Sequence, residues 1–261
     1  MTNIDLAGRR ALVTGSSSGL GEAIAMALSA AGAVLAIHYH TDRSAAEKIV
    51  DRIRERGGKA FAFGANVSMP AEVDKLFAEV AGTLGGIDIL VNNAGMDGKQ
   101  AQCVDSDPQL WAQVLALDLQ APYYCTRLAL KSMLAQGRGV ILNITSVHEY
   151  IPWSGYSAYT SAKAGLSMFT RTVAQEVAGQ GVRVLAIAPG AIRTPINASV
   201  WQDPQGLADL NRKIAMGRMG EPDEIASVAV FLVSDLASYI TGTTITVDGG
   251  MLLYPEFRHG G

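Results

Sequence analysis

Short aliphatic or β-branched runs alternate along this chain with longer stretches whose apolar residues recur every three to four positions, the periods of strand and helix respectively. The runs are Arg10–Thr14, Val34–Tyr39, Lys59–Phe63, Ile87–Val91, Val140–Thr145, Val182–Ala188 and Thr244–Val247. Between them lie amphipathic stretches such as Ala71–Leu84, where Val73, Leu76, Phe77 and Val80 share one helical face. Strands this uniformly apolar are covered on both faces, which predicts a parallel sheet between helical layers. Right-handed crossovers make it an α/β, Rossmann-type doubly wound sheet of about seven strands. Gly57-Gly58 and Gly85-Gly86 fall where helices should stop before the next strand. No linker, repeat or low-complexity block interrupts the pattern, so residues 1–261 read as one domain. The least regular parts are 96–107, 190–217 and the tail after Gly250, and these are the expected substrate loops.

Composition narrows the partners. With 261 residues, 49% of them hydrophobic, the chain can bury roughly 70–75% of its unfolded surface without disulfide or metal staples. A net charge of -3 without any Lys/Arg cluster argues against nucleic acid and anionic membrane surfaces. The longest apolar stretch, Ala23–Ile37, is broken by Ser29 and Gly32 and is shorter than the ~20 residues of a membrane span. The first ten residues carry Asp5 and lack an apolar core, so no signal peptide is read there. Cys103 and Cys125 have no metal-like spacing and read as structural thiols of a reducing compartment. The expectation is a cytoplasmic protein with a small-molecule substrate.

The first strand runs into Thr14-Gly15-Ser16-Ser17-Ser18-Gly19-Leu20-Gly21, which opens a helix. Glycines there permit a tight turn and close approach of backbone to a pyrophosphate, whose charge the free N–H groups of the helix start would hold. At the end of the second strand an acid would bind a ribose 2′-hydroxyl, but the chain reads His38-Tyr39-His40-Thr41-Asp42-Arg43, with Tyr39 in the acid's place. No carboxylate there repels a 2′-phosphate, and Ser17, His40 and Arg43 are placed to meet one; Arg43 equally suits the start of a solvated helix. NADP is therefore expected to be accepted, with NAD also tolerated. His38 and His40 lack a third ligand, and no catalytic metal is expected.

Asn92-Asn93-Ala94-Gly95 follows the fourth strand, Ser146 closes the fifth, and Tyr159 and Lys163 stand four apart, one helical turn on a common face. Joined to the glycine loop, Pro189-Gly190 and the closing Val247-Asp248-Gly249-Gly250, these motifs resemble the classical short-chain dehydrogenase/reductase family over essentially the whole chain. The resemblance implies that Tyr159 exchanges a proton with the substrate oxygen, that Ser146 hydrogen-bonds that oxygen, and that Lys163 favours the phenolate and orients the nicotinamide ribose. It places Asn93 and Gly95 on the cofactor, Asn66 and Val67 against the adenine, and Pro189, Gly190, Ile192 and Thr194 at the nicotinamide end. It also implies a homotetramer. Two positions depart from the family pattern: Asn66 stands for an Asp, and Asp118, in Leu117-Asp118-Leu119-Gln120-Ala121, for an Asn of the proton relay. A carboxylate at 118 should raise the Lys163 pKa and weaken its pull on Tyr159, so activity survives with a higher pH optimum.

The segment 146–153, with Thr194-Pro195-Ile196-Asn197-Ala198 and the tail 249–255, resembles the bacterial glucose 1-dehydrogenase branch. That resemblance implies oxidation of an aldose at its anomeric hydroxyl to the lactone, with Asp97, His148, Asn197 and Tyr254 as sugar contacts, while Glu149 and Trp153 shape the loop. Reduction of a ketone or 3-oxoacyl thioester by NADPH is the alternative, and a non-catalytic sensor of NAD(P) the third reading.

Overall fold

The computed structural model describes residues 4–253. Seven strands form one parallel sheet in the order β3-β2-β1-β4-β5-β6-β7 among these residues. In chain order, β1 is Arg10–Val13, α1 Gly19–Ala30, β2 Val34–Tyr39, α2 Arg43–Glu55, β3 Lys59–Gly64, α3 Pro70–Leu84 and β4 Ile89–Asn92. Then come α4 Pro108–Leu115, α5 Ala121–Gln136, β5 Gly139–Ile144, α6 Ser157–Val177, β6 Val182–Pro189, α7 Ala198–Trp201, α8 Pro204–Arg212, α9 Pro222–Val233 and β7 Thr244–Val247. All seven expected runs are strands. The fourth starts two residues later than read, at Ile89; just before it the Asp88 carboxylate accepts the backbone and guanidinium N–H groups of Arg10 at 3.0 and 2.7 Å.

Two hydrophobic layers hold the sheet. On one face Ile24, Ala25 and Leu28 of α1, Ile49, Val50 and Ile53 of α2, and Ile225, Ala229 and Leu232 of α9 cover the strands. On the other, Val73, Leu76 and Val80 of α3, Cys125, Ala129 and Met133 of α5, and Val173 and Val177 of α6 do so. Helix ends follow sequence chemistry: Pro70 opens α3 and Gly85, in the left-handed region at φ 80°, closes it. Cys125 is buried as expected, whereas Cys103 is exposed.

Chain order reverses between β1, which pairs with β2, and β4 on its other side. Crossovers leave this switch point in opposite directions, opening a crevice beyond the carboxyl ends of the strands. The segment 190–217 is more regular than its sequence suggested, since it contains α7 and α8. Asp203 caps α8 by accepting N–H bonds from Gln205 and Gly206, and Pro204 fills the first turn, a start signal present in the sequence. No helix among the described residues is long and apolar enough to cross a membrane.

Candidate active site

A cleft of about 1750 Å³ lies over the switch point. Gly15, Ser17, Gly19, Leu20 and Gly21 line one end, with His40, Asn66 and Val67 further out. Asn93, Gly95, Pro189, Gly190, Ile192 and Thr194 line the middle. Asp118, Ser146, Tyr159 and Lys163 meet at the inner end, beside Asp97 and His148, while Asn197 lines the cleft next to Ile192 and Thr194. Tyr254 lies outside the described residues.

The glycine loop is held from three sides. Asn93 Nδ2 donates to the carbonyls of Thr14 and Gly15 at 2.9 and 3.2 Å, and Thr14 Oγ1 accepts from the N–H groups of Asn93 and Ala94 at 2.9 and 3.0 Å. His38 Nδ1 accepts the Gly15 N–H at 2.9 Å, so its other nitrogen carries the proton and donates to Ala65 O at 3.0 Å. Burial pushes the His38 pKa down to about 4, which keeps the ring in that neutral form. A Cβ at Gly15 would meet Ala94 Cα at 3.0 Å, and one at Gly190 would meet Asp248 Cα at 2.8 Å. These bare backbone walls, opening on the start of α1, fit a dinucleotide with its pyrophosphate at the helix N-terminus and its nicotinamide against Gly190 and Ile192. Thr14 and His38 were not read as site residues from sequence; both act through the loop, a role that only the paired strand ends expose.

Two cofactor expectations need correction. Tyr39 does not line the cleft, because its ring lies over Gly64 of β3, where a Cβ would come within 2.8 Å of it. Arg43 is also directed elsewhere, 3.4 Å from Glu47 one turn along α2, which leaves His40 and Ser17 of the three groups assigned to a 2′-phosphate.

The inner end combines a buried ion pair with a half-buried phenol. Lys163 Nζ donates to Ile144 O at 3.1 Å and lies 3.1 Å from Asp118 Oδ2 and 5.5 Å from the Tyr159 ring centre. Asp118 sits in a π-helical turn, Ala116–Gln120, that joins α4 to α5, and its Oδ1 accepts the Met96 N–H at 2.9 Å. Burial opposes the Lys163 ammonium, but Asp118 and Tyr159 outweigh it and hold the pKa above the ordinary lysine value. Burial, joined by the charges of Asp118 and Asp97, outweighs Lys163 and Ser146 and holds the Tyr159 pKa above that of a free phenol. Behind these residues Asn92 Nδ2 donates to Asn143 Oδ1 at 2.8 Å, and Asn143 Nδ2 to Thr170 Oγ1 at 2.8 Å, tying β4, β5 and α6 together.

At the substrate end Trp153 is sandwiched, its indole stacked 4.6 Å from His148 and 3.8 Å from Tyr156 between ring centres. His148 Nδ1 is bound to Ile151 O at 3.2 Å, so Nε2 is the nitrogen left for a ligand. Trp153, read from sequence as a loop residue, therefore lines the cleft as well. Asn197 is the reverse case: Nδ2 donates to Ile192 O at 2.9 Å and Oδ1 accepts the Thr194 N–H at 3.1 Å, so its amide closes its own loop and is not free for a sugar. Among the described residues no group of three or more His, Cys, Asp or Glu is placed to hold a metal ion.

Residues 15–252 match the family model described as enoyl-(acyl carrier protein) reductase. The 3beta-hydroxysteroid dehydrogenase 1 of Eggerthella lenta is 44% identical over 257 residues, covering 98% of both chains. Glucose 1-dehydrogenase 2 of Bacillus subtilis is 38% identical over 97% of this chain and 98% of its own. A gluconate 5-dehydrogenase from Burkholderia cenocepacia, solved with NADP and tartrate, superposes with a TM-score of 0.91 at 30% identity, over 97% of this chain and 98% of its own. The chain belongs to the short-chain dehydrogenase/reductase family. It is an NAD(P)-dependent oxidoreductase acting on alcohol and keto groups.

Proposed function

We propose that this enzyme oxidises a ring-borne hydroxyl with NADP, the anomeric hydroxyl of an aldose being the leading substrate and the lactone its product. The observation that carries the sugar reading is that Asp97 and the Nε2 of His148 line the same cleft as Ser146 and Tyr159, where polar groups can meet a hydroxylated ring. NADP over NAD is supported by the absence of an acid at position 39 and by His40 on the cleft wall. When bound, the nicotinamide supplies the hydride acceptor. Tyr159 Oη takes the hydroxyl proton while the carbinol C–H bond breaks and its electron pair leaves with the hydrogen; Ser146 Oγ steadies the substrate oxygen as charge builds there. Lys163, fixed by Ile144 O and Asp118, holds the phenol's electrostatic surroundings constant.

A second reading is a hydroxylated fused ring of steroid type, or reduction of the matching ketone. Ile151, Pro152, Trp153, Ile196, Val200 and Leu210 give the outer wall an apolar character that a polyol does not require. A panel of glucose, related aldoses, gluconate and a 3-hydroxysteroid, each with NADP and NAD, separates the two by the appearance of reduced nicotinamide. Turnover on the steroid with none on any aldose sinks the sugar reading. In either case Tyr159→Phe should cost about 10²-fold or more in turnover and leave NADP binding intact.

We also propose a homotetramer, supported by two separate apolar surfaces, one on α4, α5 and α6 and one beside β7.

A further inference from the structure

The charges around Tyr159 come from four elements. Lys163 of α6 is positive; Asp118 of the π-helical turn is fully buried, which pushes its carboxyl pKa up, but the ammonium 3.1 Å away and the Met96 N–H both favour its carboxylate. Asp97, in the loop after β4, is a half-buried carboxyl at the cleft whose pKa burial pushes up. His148 stands 6.4 Å away between ring centres, with burial pushing its pKa down so that it is neutral at neutral pH. Ser146 is uncharged. Lys163 and Asp118 thus cancel inside the protein, and a phenolate on Tyr159 would leave the buried group with one net negative charge. Asparagine at 118 would instead leave Lys163 uncompensated and ready to balance that phenolate. Asp118 Oδ2 faces the Lys163 ammonium at 3.1 Å and both groups are buried, so charge added beside the pair is poorly screened.

We propose that Asp118 makes proton loss from Tyr159 conditional on a positive nicotinamide in the cleft. In the free and NADPH-bound enzyme Tyr159 is a phenol, the form that donates to a carbonyl. With NADP+ bound, the ring charge restores neutrality and Tyr159 becomes the base that oxidation requires. The same carboxylate favours the oxidised cofactor over the reduced one. This inference rests on the dehydrogenase reading, since it needs the nicotinamide at this end of the cleft. Asp118 is a positioning residue in this scheme: it acts through Lys163 and Tyr159 and exchanges no proton with substrate.

Binding of NADP+ and of NADPH, followed by protein fluorescence across the neutral and alkaline range, tests it in the wild-type enzyme. NADP+ should tighten with rising pH, by up to about tenfold per unit, until Tyr159 is ionised in the free enzyme, while NADPH binding stays flat. In Asp118→Asn, phenolate absorbance of the cofactor-free protein, with Tyr159→Phe as the blank, should show Tyr159 titrating about 1–3 units lower. The preference for NADP+ over NADPH should shrink about tenfold in the same variant, one pH unit's worth of charge coupling. A Tyr159 titration unmoved by Asp118→Asn, in a protein that binds both cofactors, overturns this inference alone. Failure to bind either cofactor overturns it together with the dehydrogenase reading. If Asp118→Asn does not fold, the wild-type comparison decides by itself: equal pH dependence for the two cofactors overturns the proposal.

Discussion

Gly21 leaves no room for a methyl group, since a Cβ there would press on the Gly15 carbonyl and come within 2.5 Å of Asn93 Nδ2. Both neighbours are backbone or pinned side chain, so neither yields cheaply, and Asn93 is the residue that holds the glycine loop. Gly21→Ala should therefore lower stability by about 1–3 kcal/mol and weaken NADP binding together, read by thermal unfolding and by cofactor titration. An alanine variant that binds NADP like wild type would show that the loop tolerates displacement. At this scale Ser146, Tyr159 and Lys163 were legible because their chemistry fixes both residue type and spacing. Tyr39 and Arg43 were not, since the side to which a side chain turns at a strand end depends on the neighbouring strand and turn. Asn197 was misread for a related reason: an amide in a loop has two uses, and only coordinates show that Ile192 and Thr194 have taken it.

Elements meet at His38, which bridges β2, the glycine loop and the end of β3 through Gly15 N–H and Ala65 O. Sequence alternation placed it in a strand but could not show that its ring is buried between two backbone groups. That burial has a pH consequence. The folded-state pKa is depressed from 6.5 to about 4, so between those values the unfolded chain binds a proton that the folded chain does not. Stability from this group is complete above about pH 6.5 and falls as the pH drops toward 4, by about 3 kcal/mol in all. Denaturant unfolding across that window should show the loss in wild type. In His38→Asn, whose Oδ1 can replace Nδ1 as acceptor for Gly15, the slope should be smaller by about one proton; an unchanged slope would assign the acid sensitivity to other groups. The π-helical turn at Ala116–Gln120 is the other element that periodicity could not resolve. Nothing in the residue types of Ala116-Leu117-Asp118-Leu119-Gln120 marks the extra residue that rotates Asp118 inward.

For the whole molecule, the doubly wound sheet was legible because strands buried on both faces carry an unmistakable apolar signature, whereas surfaces meant for other subunits look like any other apolar residue. Exposure in the structure marks the large apolar residues that the core does not cover. Trp111 of α4, Tyr123 of α5 and Met168 of α6 are exposed on the outer side of one helical layer. Leu236 and Tyr239, in the connection from α9 to β7, are exposed, and the outer edge of β7 is unpaired among the described residues. An isologous interface uses one patch on both partners, so two patches on different sides call for two independent two-fold axes and a tetramer of dihedral symmetry. Light scattering should then give a mass near four times the 27.5 kDa of one chain. Charge placed on one patch alone, Tyr123→Asp with Met168→Asp or else Tyr239→Asp, should leave the other interface standing and yield dimers. The two sets combined should yield monomers. A wild-type monomer at micromolar concentration would defeat the tetramer, and a single set that gives monomers directly would show that one patch carries the whole assembly.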